Sequence, residues 1–273
     1  MYENTISLFY HALSELGHIV KVSENSIDTG AYNILLPPKV FRAEEVVTYL
    51  LSNRIPYGFI GVETFDGFKH HRLDDASGNP AVFHRFVQGA QHIFCLFKQD
   101  IDRYRNLGGK AVYAKYGFSD GVAEIRRPKA HPIDVFFFGD VEGRSRRTRI
   151  LQDLADRGLH VHLLTGASNS RPALVRNSLI GMAKINININ HSSHVSPQRV
   201  VFLANNAIPC VSDSAEDPDG YLATAMVRHG DAELIDWCCD YVRSGDVLAD
   251  GDRAYDILRQ DPMSRILEAA LDG

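Results

Sequence analysis

Glycine and arginine residues follow a strongly apolar predicted strand in the second half of the chain. In the loop 139–147, Gly139 and Gly143 let backbone approach a ligand closely, and Arg144 supplies a cation. A phosphate or diphosphate is the kind of ligand that such a loop can hold. The alternative interpretation is a turn before a helix with a solvated basic face. The other arginines of this region are interpreted as surface residues: Arg146, Arg147 and Arg149.

A second basic loop lies within the segment 185–213. Isoleucine and asparagine alternate over 185–190, which is the two-residue period of a strand. Ser196 suits a helix N-cap and Pro197 a first helical residue. Arg199 then falls in the first turn, where a cation opposes the helix dipole by roughly 0.3–1 kcal/mol. An anion between Arg199 and the helix N-terminus would explain this position, whereas an exposed arginine that begins an ordinary helix is the alternative.

Both loops follow strands of the same predicted sheet, so both can point at one cleft. We expect Arg144 and Arg199 to hold a diphosphate there, with nearby serine and histidine side chains as hydrogen-bond donors. The loop is not GxGxxG and lacks the acidic ribose residue about 20 residues later, which argues against NAD binding. The histidines could instead cap local backbone. The residues predicted to bind this diphosphate are Gly139, Gly143, Arg144, His191, Ser192, Ser193, His194 and Arg199.

A polar stretch after a strand in the first half of the chain contains the candidates for proton transfer. A base that removes a proton from a hydroxyl must be a carboxylate or an imidazole. Glu63 is favoured because it lies at the strand end, followed by His70 and His71, although so polar a loop can simply be solvated. Asp217 and Asp219 form a D-P-D sequence, which we interpret as a turn rather than a metal site.

Strands and helices alternate twice along the chain, on either side of a proline-rich basic joint, and this predicts two Rossmann-like α/β domains with parallel sheets. We expect a first domain at 1–127, a linker at 128–132, a second domain at 133–260 and a C-terminal helix at 261–273 that packs back on the first domain. The chain begins with a helix, so either the first domain is reduced or an upstream strand is absent. The predicted strands are 19–22, 33–36, 57–62, 92–97, 110–116, 134–138, 160–164, 185–190 and 209–212.

The composition is that of a soluble globular protein, with 45% hydrophobic and 23% charged residues among 273. The net charge of −5 argues against nucleic acid as a partner. The four cysteines show no metal-ligand spacing, and neither a signal peptide nor a membrane-spanning run is evident. We therefore expect a cytoplasmic protein with reduced cysteines.

Several segments together resemble the GT-B glycosyltransferases, in particular the glycosyl-transferase group 1 type, over nearly the whole chain. The stretch 89–118 is similar to the end of an acceptor domain, and 134–166 to the opening of a donor domain. The segment 185–213 resembles the nucleotide-diphosphate-sugar segment, with Arg199, Ala207 and Pro209 at the expected places. The resemblance implies two Rossmann-like domains facing across a cleft, the second binding the activated sugar and the first the acceptor.

Two departures from the family pattern concern the donor. Phe202 replaces the glutamate that commonly holds the nucleotide ribose, and Ala207 replaces a residue that is usually glycine. The resemblance therefore implies a different contact with the ribose and leaves the base and the sugar open.

The function that we predict is transfer of a sugar from a nucleotide-diphosphate sugar, with a UDP-sugar favoured, to a hydroxyl acceptor, without a metal or another cofactor. The acceptor can be a glycan, a lipid-linked glycan, a protein or a small molecule, and peripheral contact with a membrane stays open. One alternative is a non-catalytic relative that binds a nucleotide sugar or a partner protein. Another is a GT-B-type sugar-nucleotide epimerase or hydrolase.

Overall fold

The computed structural model of the protein describes residues 3–36, 44–62, 64, 80–141, 145–165, 173–190 and 193–272. The backbone divides into two units, one containing Ala12–Tyr116 with Ser264–Gly273, and the other Glu3–His11 with Gly117–Met263. This division groups residues that lie close together in space and does not identify a linker. The domain limits that the sequence indicates therefore stay predictions. In the described residues, no helix is long and apolar enough to cross a membrane.

The unit around Ala12–Tyr116 contains a parallel sheet of four strands in the order β1-β2-β3-β4. The strands are β1 Asn33–Leu35, β2 Tyr57–Gly61, β3 His92–Cys95 and β4 Ala111–Tyr113. The helices are α1 Glu3–Glu15, whose start belongs to the other unit, α2 Glu44–Ser52, α3 Pro80–Gly89, α4 Lys98–Asn106 and, at the end of the chain, α10 Met263–Asp272.

The strand order of this first sheet determines where its helices lie. Since each strand is followed by its neighbour in the same direction, right-handed crossovers place α2, α3 and α4 on one face. The core on that face joins Leu50 of α2 and Phe86 of α3 to Phe59 and Ile93 of the strands. Alternate strand residues such as Phe94 point to the other face and are also fully buried.

The second unit contains a parallel sheet of five strands in the order β6-β5-β7-β8-β9. The strands are β5 Ile133–Phe138, β6 Val161–Leu164, β7 Ala183–Asn188, β8 Cys210–Asp213 and β9 Met226–Arg228. The helices are α5 Ser145–Asp156, α6 Ala173–Gly181, α7 Pro197–Asn205, α8 Asp231–Ser244 and α9 Val247–Leu258. The core between the sheet, α5 and α8 contains Val135, Ile187, Ile150 and Leu234.

The structure differs from the predicted strands in two places. The residues 19–22 form no strand, because Ile19 and Val22 are exposed and pair with no neighbouring strand. The three-residue edge strand β9 is not predicted, since so short a segment has no readable period. The other described strands lie where they were predicted, with differences of up to three residues at their ends.

Candidate functional site

The second sheet has a topological switch point between β5 and β7. The chain leaves β5 toward β6 on one side and later returns to β7 on the other, so the strand order reverses there. In open parallel sheets ligands bind outside the carboxyl ends of the strands at such a point, because the two neighbouring loops diverge and leave a crevice. The loops that follow β5 and β7 are the two basic loops singled out in the sequence.

Gly139 and Arg199 meet at this switch point. Gly139 follows β5 with φ of +143°, and a Cβ atom there would lie 2.5 Å from Nη2 of Arg199. Nη2 donates a hydrogen bond to the carbonyl oxygen of Phe138, and Nη1 donates one of 2.6 Å to Oδ1 of Asn188. The guanidinium of α7 thus lies between the carboxyl ends of β5 and β7, so close to Gly139 that an added methyl group would require it to shift.

Aromatic rings orient the same guanidinium. Cζ of Arg199 lies 4.7 Å from the ring centroid of Phe137 and 4.9 Å from that of Phe138. Contacts of this kind stabilise a cation through the ring quadrupole and restrict its rotamers. Arg199 is partly buried, so the interpretation of it as an exposed arginine is wrong, and it is held in place at the sheet edge.

The asparagines of β7 form the next layer of the site. Asn188 and Asn190 lie in the series that alternates with isoleucine, and both are buried. Nδ2 of Asn188 donates to Oγ of Ser212 at 2.9 Å and to Oδ1 of Asn190 at 3.1 Å. Oδ1 of Asn190 also accepts a bond of 2.8 Å from the backbone N–H of Ser196, the N-cap of α7. Polar side chains on one face of a central strand need such partners, which is the signal by which the sequence could have revealed this network.

Asp213 is an acidic residue of this network that the sequence reasoning missed, and Asp231 shares its partner Arg146. Asp213 ends β8, is buried, and accepts a bond of 2.7 Å from Nη1 of Arg146. Asp231 begins α8 and pairs with Arg146 at 2.6 Å and with Arg149 at 2.5 Å. Burial alone would raise the pKa of Asp231, but the hydrogen bonds and charges of Arg146 and Arg149 outweigh it, so the pKa is lowered.

The interpretation of Arg147 as a surface residue is wrong. Arg147 is buried, and its Nε and Nη2 donate to the carbonyl oxygen of Ile189 at 2.8 and 2.5 Å. Its Nη1 donates to the carbonyl oxygen of Asp140 at 2.7 Å. These carbonyl groups follow the ends of β7 and β5, where the sheet offers them no partner, and a sequence does not show that they converge on one arginine. Arg146 and Arg149 are exposed, as predicted.

Ser193 and His194 belong to the loop between β7 and α7. His194 forms an isolated bridge with Glu216, and its Nδ1 lies 3.2 Å from Oε2 of that residue. The carbonyl oxygen of Ser193 accepts a bond of 2.7 Å from the N–H of Glu216. Both residues therefore lie in the loop next to the switch point, and the expected contact of His194 with a ligand stays a prediction.

The remaining predicted site residues lie outside the described residues. They are the base candidates Glu63, His70 and His71, and the donor candidates Gly143, Arg144, His191 and Ser192. Their assignments stay predictions.

Solved structures with the same architecture were found by comparison. HepE from Anabaena, in complex with UDP and glucose, matches with a TM-score of 0.54 at 10% identity, over 84% of this chain and 75% of that chain. The α,α-trehalose 6-phosphate synthase from Burkholderia multivorans matches with a TM-score of 0.54 at 11% identity, over 88% and 69%. The fold is that of the GT-B glycosyltransferases.

A further GT-B structure, that of trehalose-6-phosphate from E. coli bound with UDP-2-fluoro glucose, matches with a TM-score of 0.52 at 8% identity, over 88% of this chain and 72% of that chain. No family model and no curated protein matches the sequence. The predicted α/β class, with a reduced first domain, is confirmed by these GT-B structures, of which the chain covers 69% to 75%.

The two departures from the family pattern have clear positions in this GT-B fold. Phe202 is buried and packs under Arg176, whose Cζ lies 5.1 Å from the ring centroid. Ala207 follows α7 with φ of +52°, in the left-handed region that glycine adopts without strain. Phe202 thus contributes to packing between α6 and α7. Ala207 keeps the left-handed backbone conformation, which explains why the family pattern usually has glycine at this place.

The D-P-D sequence is a turn, as predicted. The carboxylate of Asp217 accepts bonds of 2.9 and 2.6 Å from the N–H groups of Tyr221 and Leu222, which begin a short 3-10 helix. In the parts of the chain that the structure describes, no group of three or more His, Cys, Asp or Glu residues is placed to hold a metal ion.

Proposed function

We propose that this protein transfers a sugar from a nucleotide-diphosphate sugar, with a UDP-sugar favoured, to a hydroxyl acceptor. The observation that carries the proposal is the position of Arg199, whose guanidinium lies at the switch point of the second sheet beside Gly139. UDP or a UDP-sugar is present in two of the matching GT-B structures, HepE and the E. coli protein.

The chemistry of the site follows from its charge. Cleavage of the donor's glycosidic bond leaves negative charge on the diphosphate. Arg199 and the N-terminus of α7 supply positive charge at fixed positions, which stabilises the transition state without reorganisation. In this proposal the donor diphosphate lies near Gly139, Ser193 and His194, and no metal is required.

The proton of the acceptor hydroxyl needs a base. Glu63, His70 and His71 remain our candidates, because carboxylate and imidazole are the groups that can accept it. The acceptor class, whether glycan, lipid-linked glycan, protein or small molecule, is open in this proposal, as is contact with a membrane surface.

The proposal is tested by ligand-dependent unfolding. Protein is melted with a panel of nucleotides and nucleotide sugars, each at about 100 times its dissociation constant, where binding adds about 2.7 kcal/mol. We expect several degrees of stabilisation with one nucleotide-diphosphate class. Absence of a shift with every member of the panel would contradict the proposal.

A second candidate function is binding of a nucleotide sugar or a partner protein without catalysis. It is favoured by Phe202, which is buried where the family pattern has a polar ribose contact. Donor consumption separates the possibilities. Transfer requires an acceptor, a hydrolase or epimerase consumes or converts the donor without one, and a non-catalytic relative binds the donor unchanged.

A further inference from the structure

The carboxylate of Asp213 is joined to the loop that precedes α7. Its Oδ1 accepts bonds of 2.9 Å from the N–H of Asn190 and 2.7 Å from Nδ2 of Asn190, and its Oδ2 accepts the bond from Arg146. Both oxygens of this buried carboxylate thus accept hydrogen bonds beside the carboxyl ends of β7 and β8. Removing it would leave Asn190 with fewer partners in a buried place.

Two hydrogen-bonded paths lead from Asn190 to Arg199. In the first, Oδ1 of Asn190 accepts the N–H of Ser196 at 2.8 Å, which fixes the N-cap residue of the helix that carries Arg199. In the second, Oδ1 of Asn190 accepts Nδ2 of Asn188 at 3.1 Å, and Oδ1 of Asn188 accepts Nη1 of Arg199 at 2.6 Å. One path fixes the backbone of α7, and the other fixes the guanidinium.

We infer that Asp213, acting through Asn190, is a positioning residue for the donor site. It holds the start of α7 and the side chain of Asn188, and together these aim Arg199 at the diphosphate. Since binding of an anion depends on the direction of the guanidinium as well as on its charge, loss of this support weakens binding while Arg199 itself is intact. This inference rests on the proposed function.

A double-mutant cycle tests the inference with UDP as the probe. Asn190→Ala removes both paths but leaves Asp213 paired with Arg146. We expect it to weaken UDP binding at least tenfold in the wild-type background and less than twofold in an Arg199→Ala background, because a residue that acts through Arg199 has nothing left to position. An equal loss in both backgrounds would overturn the inference, since a general loss of structure acts in both.

Asp213→Ala and Asp231→Ala provide a matched pair of variants. Each removes one carboxylate partner of Arg146, but only Asp213 is bonded to Asn190. We expect Asp213→Ala to weaken UDP binding and Asp231→Ala to leave it within twofold. Equal weakening by the two variants would assign the effect to the ion pair instead.

Hydrogen exchange examines the positioning without any ligand. If the wild-type protein binds no nucleotide diphosphate, the proposed function fails, and the backbone amide of Ser196, which donates to Asn190, still reports on Asn190. Asn190→Ala must speed the exchange of this amide more than Asp231→Ala does. Equal exchange in the two variants would refute the positioning role by itself.

Discussion

At the scale of single residues, the site depends on a guanidinium with a fixed direction. Arg199 donates to Asn188 and to the carbonyl oxygen of Phe138 and packs on two rings, so these contacts hold a cation at the sheet edge. Binding of the proposed diphosphate would require little ordering of this side chain, which reduces the entropic cost of association.

Replacing Arg199 by alanine should weaken binding of a nucleotide diphosphate by roughly 1.5–3 kcal/mol, the range for a hydrogen bond to a charged group. Titration calorimetry with UDP measures the effect, and thermal unfolding verifies that the variant is folded. Arg157→Ala serves as the control, because Arg157 pairs with Asp236 on the exposed side of α5 and α8. Unchanged affinity in folded Arg199→Ala protein would remove Arg199 from the site.

Gly139→Ala should be more damaging than alanine at another glycine with positive φ. Gly158 has φ of +86° and open space around it, so Gly158→Ala should cost only backbone strain, about 1–2 kcal/mol. Gly139→Ala also displaces the guanidinium of Arg199 and should cost roughly 1.5–3 kcal/mol more. Urea unfolding compares the free energies of unfolding. Equal losses would show that the guanidinium is not confined by Gly139.

At the scale of secondary-structure elements, α7 connects the candidate site with the rest of its unit. Its first turn carries Arg199. At its last turn, Oδ1 of Asn205 accepts the N–H of Ser119, and Oδ1 of Asn206 accepts the N–H groups of Glu124 and Ile125. The helix is therefore fixed at both ends, which explains how a residue of its first turn keeps one position.

Ala207→Gly should stabilise the protein by roughly 0.5–1 kcal/mol. Glycine relieves the left-handed strain at φ of +52°, and this gain exceeds the entropy that glycine adds to the unfolded chain. Ala204→Gly, inside α7, should instead destabilise by about 1 kcal/mol. Chemical denaturation measures both. A loss of stability in Ala207→Gly would indicate that the methyl group matters more than the strain.

The sequence predicts most elements of the second sheet and fewer of their polar contacts. The alternation of isoleucine and asparagine identifies β7, and Ser196 with Pro197 identifies the start of α7, because these signals are local. The burial of Arg147 and the convergence of Asp213 with Asn190 depend on strands that are distant in sequence. Residues 19–22 have a strand-like composition but lack a neighbouring strand, and composition alone does not supply one.

At the scale of the whole molecule, stability should fall in mildly acidic solution. Burial, and then the charge of Lys110, lower the pKa of His92, and burial with Lys184 lowers the pKa of His131. The folded protein therefore binds these protons less readily than the unfolded chain does. Their contribution to stability is present above the unfolded pKa of about 6.5 and is lost as the pH falls below it.

Urea midpoints between pH 7.5 and 5.5 measure this dependence. We expect the midpoint to fall with pH in the wild-type protein and to fall less steeply in His92→Gln, even though that variant also loses the bond of 2.9 Å to the hydroxyl of Tyr32. His84→Gln is the control, because His84 is exposed on α3. A midpoint that is constant or rises toward pH 5.5 would contradict the assignment.

The proposed donor site lies at the switch point of the second sheet, and a crystal structure with UDP tests this placement most directly. We predict that the diphosphate lies outside the carboxyl ends of β5 and β7, within hydrogen-bonding distance of Arg199 and beside the N-terminus of α7. UDP bound elsewhere, or with its diphosphate away from Arg199, would contradict the assignment of the donor site to this switch point.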